Sequence, residues 1–532
     1  MKIKKWTGLA IAGSLLVVSA CSNSAGTESS SSPTASPSAS PTASAAPKDD
    51  LTKKFTVTFM QSQGGVIPPA DGVGVKMINE KFNVDYKPVL VPSGEYGAKV
   101  STTIAAGDMP DLMGWSGTNF VALAKQGAFL PLDEFINEFP SLKMVPSYVW
   151  DGVKVDGKIY GIPRYFPVQY GNTPIIRQDW LDKLGLKMPT NYEELKAVAL
   201  AFTTKDPDGN GKNDTYGMIL QTGIAPNYGM GAYWKPDAWY QKNKEGQVIP
   251  NIISDANKQV AMFLADLHKA GALPPDWATT NATNARNSFY AGKGGIYQQQ
   301  PYDQGPSAFK SLRELQPEAK LVAIPPFKAP DGSQGYMGQP GWSGMYVLNG
   351  KLKDDKAKVR RILSILENFR TFIPVDQRNP SNKLFDWNYG GLNAGYKFDN
   401  NLLTVEYGKG LVPIEYMENR MWAPNDEAND VSRVPTVTDP LQKSTFASLE
   451  QMHKDTKIYL NPVNRVYSET FTAKFWALVS PFDAEVTKMI YGQRSFDDWD
   501  KIVAEFLANG GTQMIKEVND EMKKNNIVGE FQ

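Results

Sequence analysis

A strand, a helix and a second strand follow one another over Lys54 to Val91, and this order constrains the fold more than any other feature of the chain. Phe55, Val57 and Phe59 alternate with Thr56, Thr58 and Met60, the period of a half-buried or fully buried strand. A helical stretch covers about Gly72 to Phe82, and Asn83 to Tyr86 with Pro88 to Val91 return to an extended pattern. Units of this kind close as right-handed parallel crossovers, which predicts an α/β fold rather than a sandwich or a bundle. Later helices carry their own signals. Thr190 with Glu193 reads as a capping box before Leu195, Val198 and Phe202 on one face. Val359, Ile362, Leu363 and Leu366 repeat that spacing. Ser495 with Asp498 opens a helix carrying Trp499, Val503 and Phe506, with a stop at Asn509-Gly510-Gly511. No repeat of fixed period is present, which removes solenoids and propellers.

The amino-terminal residues read as targeting, not fold. Lys2, Lys4 and Lys5 precede the apolar run Leu9 to Val18 and the small residues Ser19-Ala20, so residues 1–20 are expected to be an export signal. The run is shorter than the roughly 20 residues of a membrane span. Cys21, the only cysteine, follows directly in a lipoprotein cleavage pattern and has no second cysteine for a disulfide. Lipid attachment explains it better than a stray signal-peptide cysteine, and two or more acyl chains, at about 0.8 kcal/mol per buried methylene, anchor stably. Residues 21–52 are mostly Ser, Ala, Thr and Pro, a composition that buries no core and reads as a disordered tether. Such a tether suits a Gram-positive surface more than a periplasm. The roughly 480 residues beyond it exceed one core, so two or more domains are expected.

Charge is balanced, 56 basic against 56 acidic side chains, with no basic run, which argues against nucleic acid as a partner. His268 and His453 have no metal-ligand spacing and are expected at the surface or on helix faces. The GWSG segments at Gly114 and Gly341 lack the spacing of a serine nucleophile turn. A hydrolase working with two carboxylates remains the competing class, because Asp and Glu are too abundant for sequence to exclude it. A wall-binding module is disfavoured by the alternation of strands and helices.

One segment is specific by itself. Asp206, Asp208, Asn210, the Lys212 carbonyl and Asp214 occupy positions 1, 3, 5, 7 and 9 of a calcium loop, with Gly211 at position 6. Position 12, the usual bidentate glutamate, is Gly217, so other oxygens must complete the shell. The set contains only oxygen ligands and no nucleophile, which favours a structural Ca2+ over a catalytic one. A solvated Asp/Asn/Gly turn is the plain alternative.

Several segments in order carry a resemblance: AAGDMPDLMGW (Ala105 to Trp115), AKQGAFLPLDEFI (Ala124 to Ile136), DGKIYGIPR (Asp156 to Arg164), the stretch Ile175 to Phe202, DPDGNGKND (Asp206 to Asp214), FYAGKGGIY (Phe289 to Tyr297) and Ser495 to Met522. Together these resemble the family 1 extracellular solute-binding lipoproteins of ATP-driven sugar importers. The resemblance implies a two-lobed, periplasmic-binding-protein-like α/β fold with discontinuous lobes, hinge strands and a ligand cleft. The lobes are expected at residues 53–165 with about 335–400, and 166–334 with about 401–532, the first crossing following Gly161-Ile162-Pro163. It further implies a monomeric binder, not an enzyme, that captures an oligosaccharide and meets the permease subunits of an ABC importer. The ATPase would be a separate chain, since no GxxxxGK[ST] loop is present.

Sugars pair apolar CH faces with many hydroxyls, so their sites combine aromatic platforms with planar polar groups. Aromatics in polar, Gly- or Pro-bearing loops and arginine at the crossing are therefore the candidates: Tyr297, Trp422, Trp115, Trp342, Trp387, Arg164, Tyr165, Trp234 and Trp239. Packing is the ordinary alternative for each. Trp180, at a helix start, is expected in the core, while Arg177 and Asp179 read equally as helix-start or cleft residues.

Overall fold

The computed structural model describes residues 49–115, 119–169, 171, 173–221, 228–299, 305–400, 402–417, 420–426, 428, 437 and 439–532. The lipidation candidate Cys21, the signal and nearly all of the tether lie outside the described residues.

The chain opens with β1 (Phe55–Gln63), passes through the helix Val73–Phe82 and returns as β2 (Val84–Pro92), paired parallel to β1 from Phe55↔Val84 to Gln63↔Pro92. The strand-helix-strand reading therefore holds, with Asn83 at φ 45° turning the helix into β2. β3 (Leu112–Trp115) pairs parallel to the other edge of β1. A hairpin of β4 (Lys154–Val155) and β5 (Lys158–Ile159) precedes β6 (Ile162–Tyr165). The chain then builds a second sheet from β7 (Thr173–Arg177), β8 (Tyr216–Ile219), β9 (Gly294–Gln299) and β10 (Leu321–Ala323), in the order β10-β7-β9-β8. On the way back it forms β11 (Tyr336–Met337) and then β12 (Trp342–Leu348). β12 inserts antiparallel between β3 and β6, completing the first sheet as β2-β1-β3-β12-β6. β13 (Tyr396–Asp399) and β14 (Leu402–Val405) form a second hairpin. Finally β15 (Ile458–Leu460) and β16 (Glu530–Phe531) join β11 in a small third sheet.

Each large sheet has its own core. Around the first pack Phe59, Leu112, Ile162 and Tyr346, together with Val412, Tyr416 and Trp422. The last three fall after residue 400, which the sequence reading had given wholly to the second lobe. One face of the second sheet carries Trp180, Phe202, Val260, Ile296 and Trp499, and the other carries Ile175, Phe289, Tyr297 and Phe309. Trp180 is core as expected. Arg177 is buried, ion-paired with Asp179 and 4.5 Å over the Trp180 ring, so both charges act in the scaffold. Among the described residues, no helix is long and apolar enough to cross a membrane.

Two helix boundaries differ from expectation. The cap of Tyr192–Thr204 is Asn191, whose side chain accepts from the Glu194 N–H, while the Glu194 carboxylate reaches back to the Thr190 N–H and hydroxyl. The box is thus shifted by one residue. At Gly510, φ 131° kinks the chain and the next helix, Thr512–Lys524, follows at once, with Gly511 packed against Phe506 where a helix stop was expected. Arg361, fully buried on the helix Lys356–Arg370, donates to the Asp49 carboxylate and to the carbonyls of Asp50, Lys53, Phe82 and Asn83. One guanidinium thereby fixes the residues leading into β1.

Candidate functional site

In the first sheet β1, β2, β3 and β6 run the same way and end at Gln63, Pro92, Trp115 and Tyr165, where β12 begins with Trp342. In the second, β8, β9 and β10 end at Ile219, Gln299 and Ala323, where β7 begins with Thr173. The chain passes from Tyr165 to Thr173 and back from Ala323 to Trp342, so these strand ends are the ones joined by crossings. Ligands of open α/β sheets bind beyond the carboxyl strand ends, and two such edges brought together form a cleft. The residues following β3, β8 and β9, at 116–118, 222–227 and 300–304, lie outside the described residues.

The base of this region is a polar and aromatic knot. The Tyr165 hydroxyl donates to Asp426 Oδ1 at 2.7 Å, and the Gln169 N–H donates to Asp426 Oδ2 at 2.9 Å. Trp422 meets the Tyr165 ring edge-on, centroids 5.5 Å apart, with the Arg370 guanidinium 5.0 Å from its own ring. Arg370 also donates to the Pro163 carbonyl at 2.7 Å and accepts the Trp422 N–H on its own carbonyl at 2.8 Å. Arg420 donates to the Tyr165 carbonyl at 3.4 Å and lies 5.2 Å from the Phe166 ring. The returning crossing is tied in by Phe166 N–H to Gly341 O and Gln339 N–H to Val168 O.

Burial pushes the Asp426 carboxyl above the usual range, opposed by donation from Tyr165, Gln169 and Val168. Burial raises the Tyr148 and Tyr336 phenols too, with Asp426 adding to both. His453 lies on the helix Pro440–Lys454, as one of the two expectations had it, and is buried there and not at the surface. Its Nε2 stands 3.5 Å from Thr173 Oγ1, its ring 5.1 Å from that of Tyr336, and burial pushes its pKa down to about 4.

Of the nine candidates, Arg164, Tyr165, Trp342 and Trp422 come together around the crossing. Trp342 is half-buried, opposite Tyr165 in register and packed on Gly152, and Arg164 is half-buried with its guanidinium 5.4 Å from the Tyr346 ring. Trp422, however, is only 2 % exposed, a core residue below the cleft rather than a platform in it. Tyr297, also 2 % exposed, stacks on Phe289 at 5.3 Å and donates to Gln221 Oε1 at 3.1 Å; burial raises its phenol to about 12. Trp115 packs edge-on against Phe129 in the first core, and Trp234 and Trp239 lie in the second. Trp387 sits by Phe82 under the Lys81 ammonium, at the end of β2 remote from the cleft. Asp426, Arg420 and Gln169 were not singled out, since nothing in a polar stretch marks one acid among many until its partners from far along the chain are placed.

The calcium-loop residues also gather. Asp206, Gly209 and Gly211 take φ of 45°, 73° and 77°, which folds the loop tightly. Asn210 Nδ2 donates to Asp208 Oδ2 at 2.8 Å and to Asp214 Oδ1 at 3.0 Å, while Gly211 and Asn210 N–H groups donate to Asp206. Two carboxylates thus converge on one amide. Burial raises the Asp208 carboxyl, and its neighbour Asp206 raises it further. Lys293, then Asn210, lowers that of Asp214. Among the described residues no group of three or more His, Cys, Asp or Glu is placed to hold a metal as it stands.

Two α/β sheets joined by short crossings, with their carboxyl strand ends together, define a two-lobed protein that encloses a ligand. The bacterial extracellular solute-binding protein family model matches residues 74–360, more than half of the chain, and the chain belongs to that family. It is 25% identical over 474 residues to the polygalacturonan/rhamnogalacturonan-binding protein YtcQ of Bacillus subtilis, covering 86% of this chain and 89% of that one. It is 24% identical to the lipoprotein LipO of the same organism, over 97% of each chain. Among solved structures it resembles a solute-binding protein associated with an HMO-binding ABC transporter of Bifidobacterium longum infantis. The TM-score is 0.66 at 19% identity, covering 88% of this chain and 98% of that one. It also resembles an EF-hand mutant of the Streptococcus pneumoniae ABC-transporter substrate-binding protein FusA in complex with fructo-nystose, with a TM-score of 0.58 at 17% identity, covering 88% and 99%. Family and neighbours are binding proteins.

Proposed function

We propose that this chain captures an oligosaccharide between its lobes at the cell surface and hands it to the permease subunits of an ABC importer. The observation that carries the reading is the pair of strand-end edges joined at the Tyr165 crossing, in a chain similar over most of its length to a polygalacturonan/rhamnogalacturonan-binding protein and to a lipoprotein. Arg164 and Trp342 are the described candidates for ligand contact. Lobe one comprises residues 53–165 and about 342–423, and lobe two residues 173–329 and about 439–527, following the two cores. Cys21 carries the lipid anchor, the protein works as a monomer, and a Gram-positive surface suits the tether. The loop Asp206 to Asp214 holds a structural Ca2+, with Asn210 turning its amide oxygen inward; the metal would supply only cross-linking of the loop.

Calorimetry with trigalacturonate, kestose and a neutral xylan trimer, followed by chromatography of the recovered sugar, tests the reading. One mole bound per mole of protein and an intact sugar are expected. Fragments would favour the carboxylate hydrolase, and no heat with any carbohydrate in a wider thermal-shift screen would remove the sugar reading.

A further inference from the structure

We propose that Asp426 is the pin of the hinge: it ties the outgoing crossing to the segment Arg420 to Asp426 and thereby sets how readily the lobes close. The inference holds whichever solute fills the cleft. Two chain segments separated by more than 250 positions meet on one carboxylate, Tyr165 through its hydroxyl and Gln169 through its N–H. On the first-lobe side both segments are already held, Tyr165 and Trp422 in the first core and edge-on to each other. Beyond them the chain enters the second lobe, at Thr173 in one direction and at the helix Pro440–Lys454 in the other.

A rotation between lobes is absorbed by the residues between the last fixed point and the first residue of the next lobe. Asp426 moves that fixed point on the outgoing crossing from Tyr165 to Gln169. Without it, Phe166 to Gln169 keep their links to the returning crossing and Phe166 keeps its contact with Arg420, but Val168 and Gln169 lose theirs to the segment that ends at Asp426. The added freedom favours the more varied open arrangements, and a solute that binds the closed form must then overcome it.

Hydrogen exchange on the unliganded protein, with and without Asp426→Asn and Tyr165→Phe, provides the test. Asp426→Asn preserves shape but presents an NH2 to one of two donors. The Gln169 amide is expected to exchange about tenfold faster, the equivalent of one lost charge-assisted hydrogen bond, with β1 and β9 amides unchanged. Affinity for trigalacturonate should fall by a similar factor, and the double variant should be no worse than Asp426→Asn alone. Unchanged exchange at Gln169, or an equal rise throughout both lobes, overturns the pin, the second outcome marking a general stabiliser. Lost affinity with unchanged exchange also overturns it and makes Asp426 a ligand contact. If the wild type ignores trigalacturonate, the carbohydrate reading suffers, while the exchange arm still decides the hinge.

Discussion

Trp422→Ala removes a ring enclosed by Tyr165 and Arg370, and comparable core truncations of Trp cost about 3–5 kcal/mol. Urea unfolding of the unliganded protein should show a loss of that order. A stable unliganded variant with weakened sugar binding would return Trp422 to the cleft. His453 gives a second expectation. Burial holds it neutral, with a pKa near 4 against 6.5 in a free side chain. Between those values the unfolded chain binds the proton and the folded one does not, so stability present above about pH 6.5 is lost as pH falls toward 4. His453→Gln should flatten the melting temperature across that window, and an identical pH profile for variant and wild type would contradict this. At this scale sequence showed residue type but not cover. Trp180 was placed correctly from its position at a helix start, whereas Tyr297 and Trp422 looked like platforms only because polar residues surround them in sequence.

The segment Asp206 to Asp214, proposed to hold calcium, shows what an element adds. Its twelfth position is glycine for a reason the sequence did not show: a Cβ on Gly217 would lie 2.3 Å from the Ala199 carbonyl oxygen of the helix Tyr192–Thr204. No side chain fits where a calcium-binding glutamate would stand. Gly217→Glu is therefore expected to lower the melting temperature sharply without strengthening calcium binding, measured by scanning calorimetry with and without the ion. In the wild type, chelation should lower melting by several degrees, at roughly 2–4 °C per kcal/mol for a domain of this size class, and added calcium should restore it. No response in either direction would leave the loop as a solvated turn. Periodicity made the β1-helix-β2 unit legible, since both its periods lie within a few residues. The one-residue shift to Asn191 and the kink at Gly510 were not, because Asn191 and Thr190 are equally good caps and a glycine pair reads as a stop until its packing partner Phe506 is known.

For the whole molecule, closure of two lobes about the Tyr165 crossing predicts a smaller radius of gyration with a bound oligosaccharide, by small-angle scattering. An unchanged radius at saturation would argue against hinge closure. The two-lobe plan was legible through ordered segment resemblance, but the boundary near residue 400 was not, because Val412 to Ala423 return to the first core from a distant part of the chain. The anchoring of Asp49 to Lys53 by Arg361 has a mechanical consequence. A pull on the chain upstream of Asp49 loads the helix Lys356–Arg370 and the amino end of β1, roughly 25–30 Å along the strand from Gln63. That helix ends at Arg370, which holds the Pro163 carbonyl and the Trp422 N–H at the base of the outgoing crossing. A pull applied at Asp49 is therefore shared between the amino end of β1 and the helix whose far end braces Pro163 and Trp422, so the same strut that fixes the start of the fold also stiffens the base of the crossing.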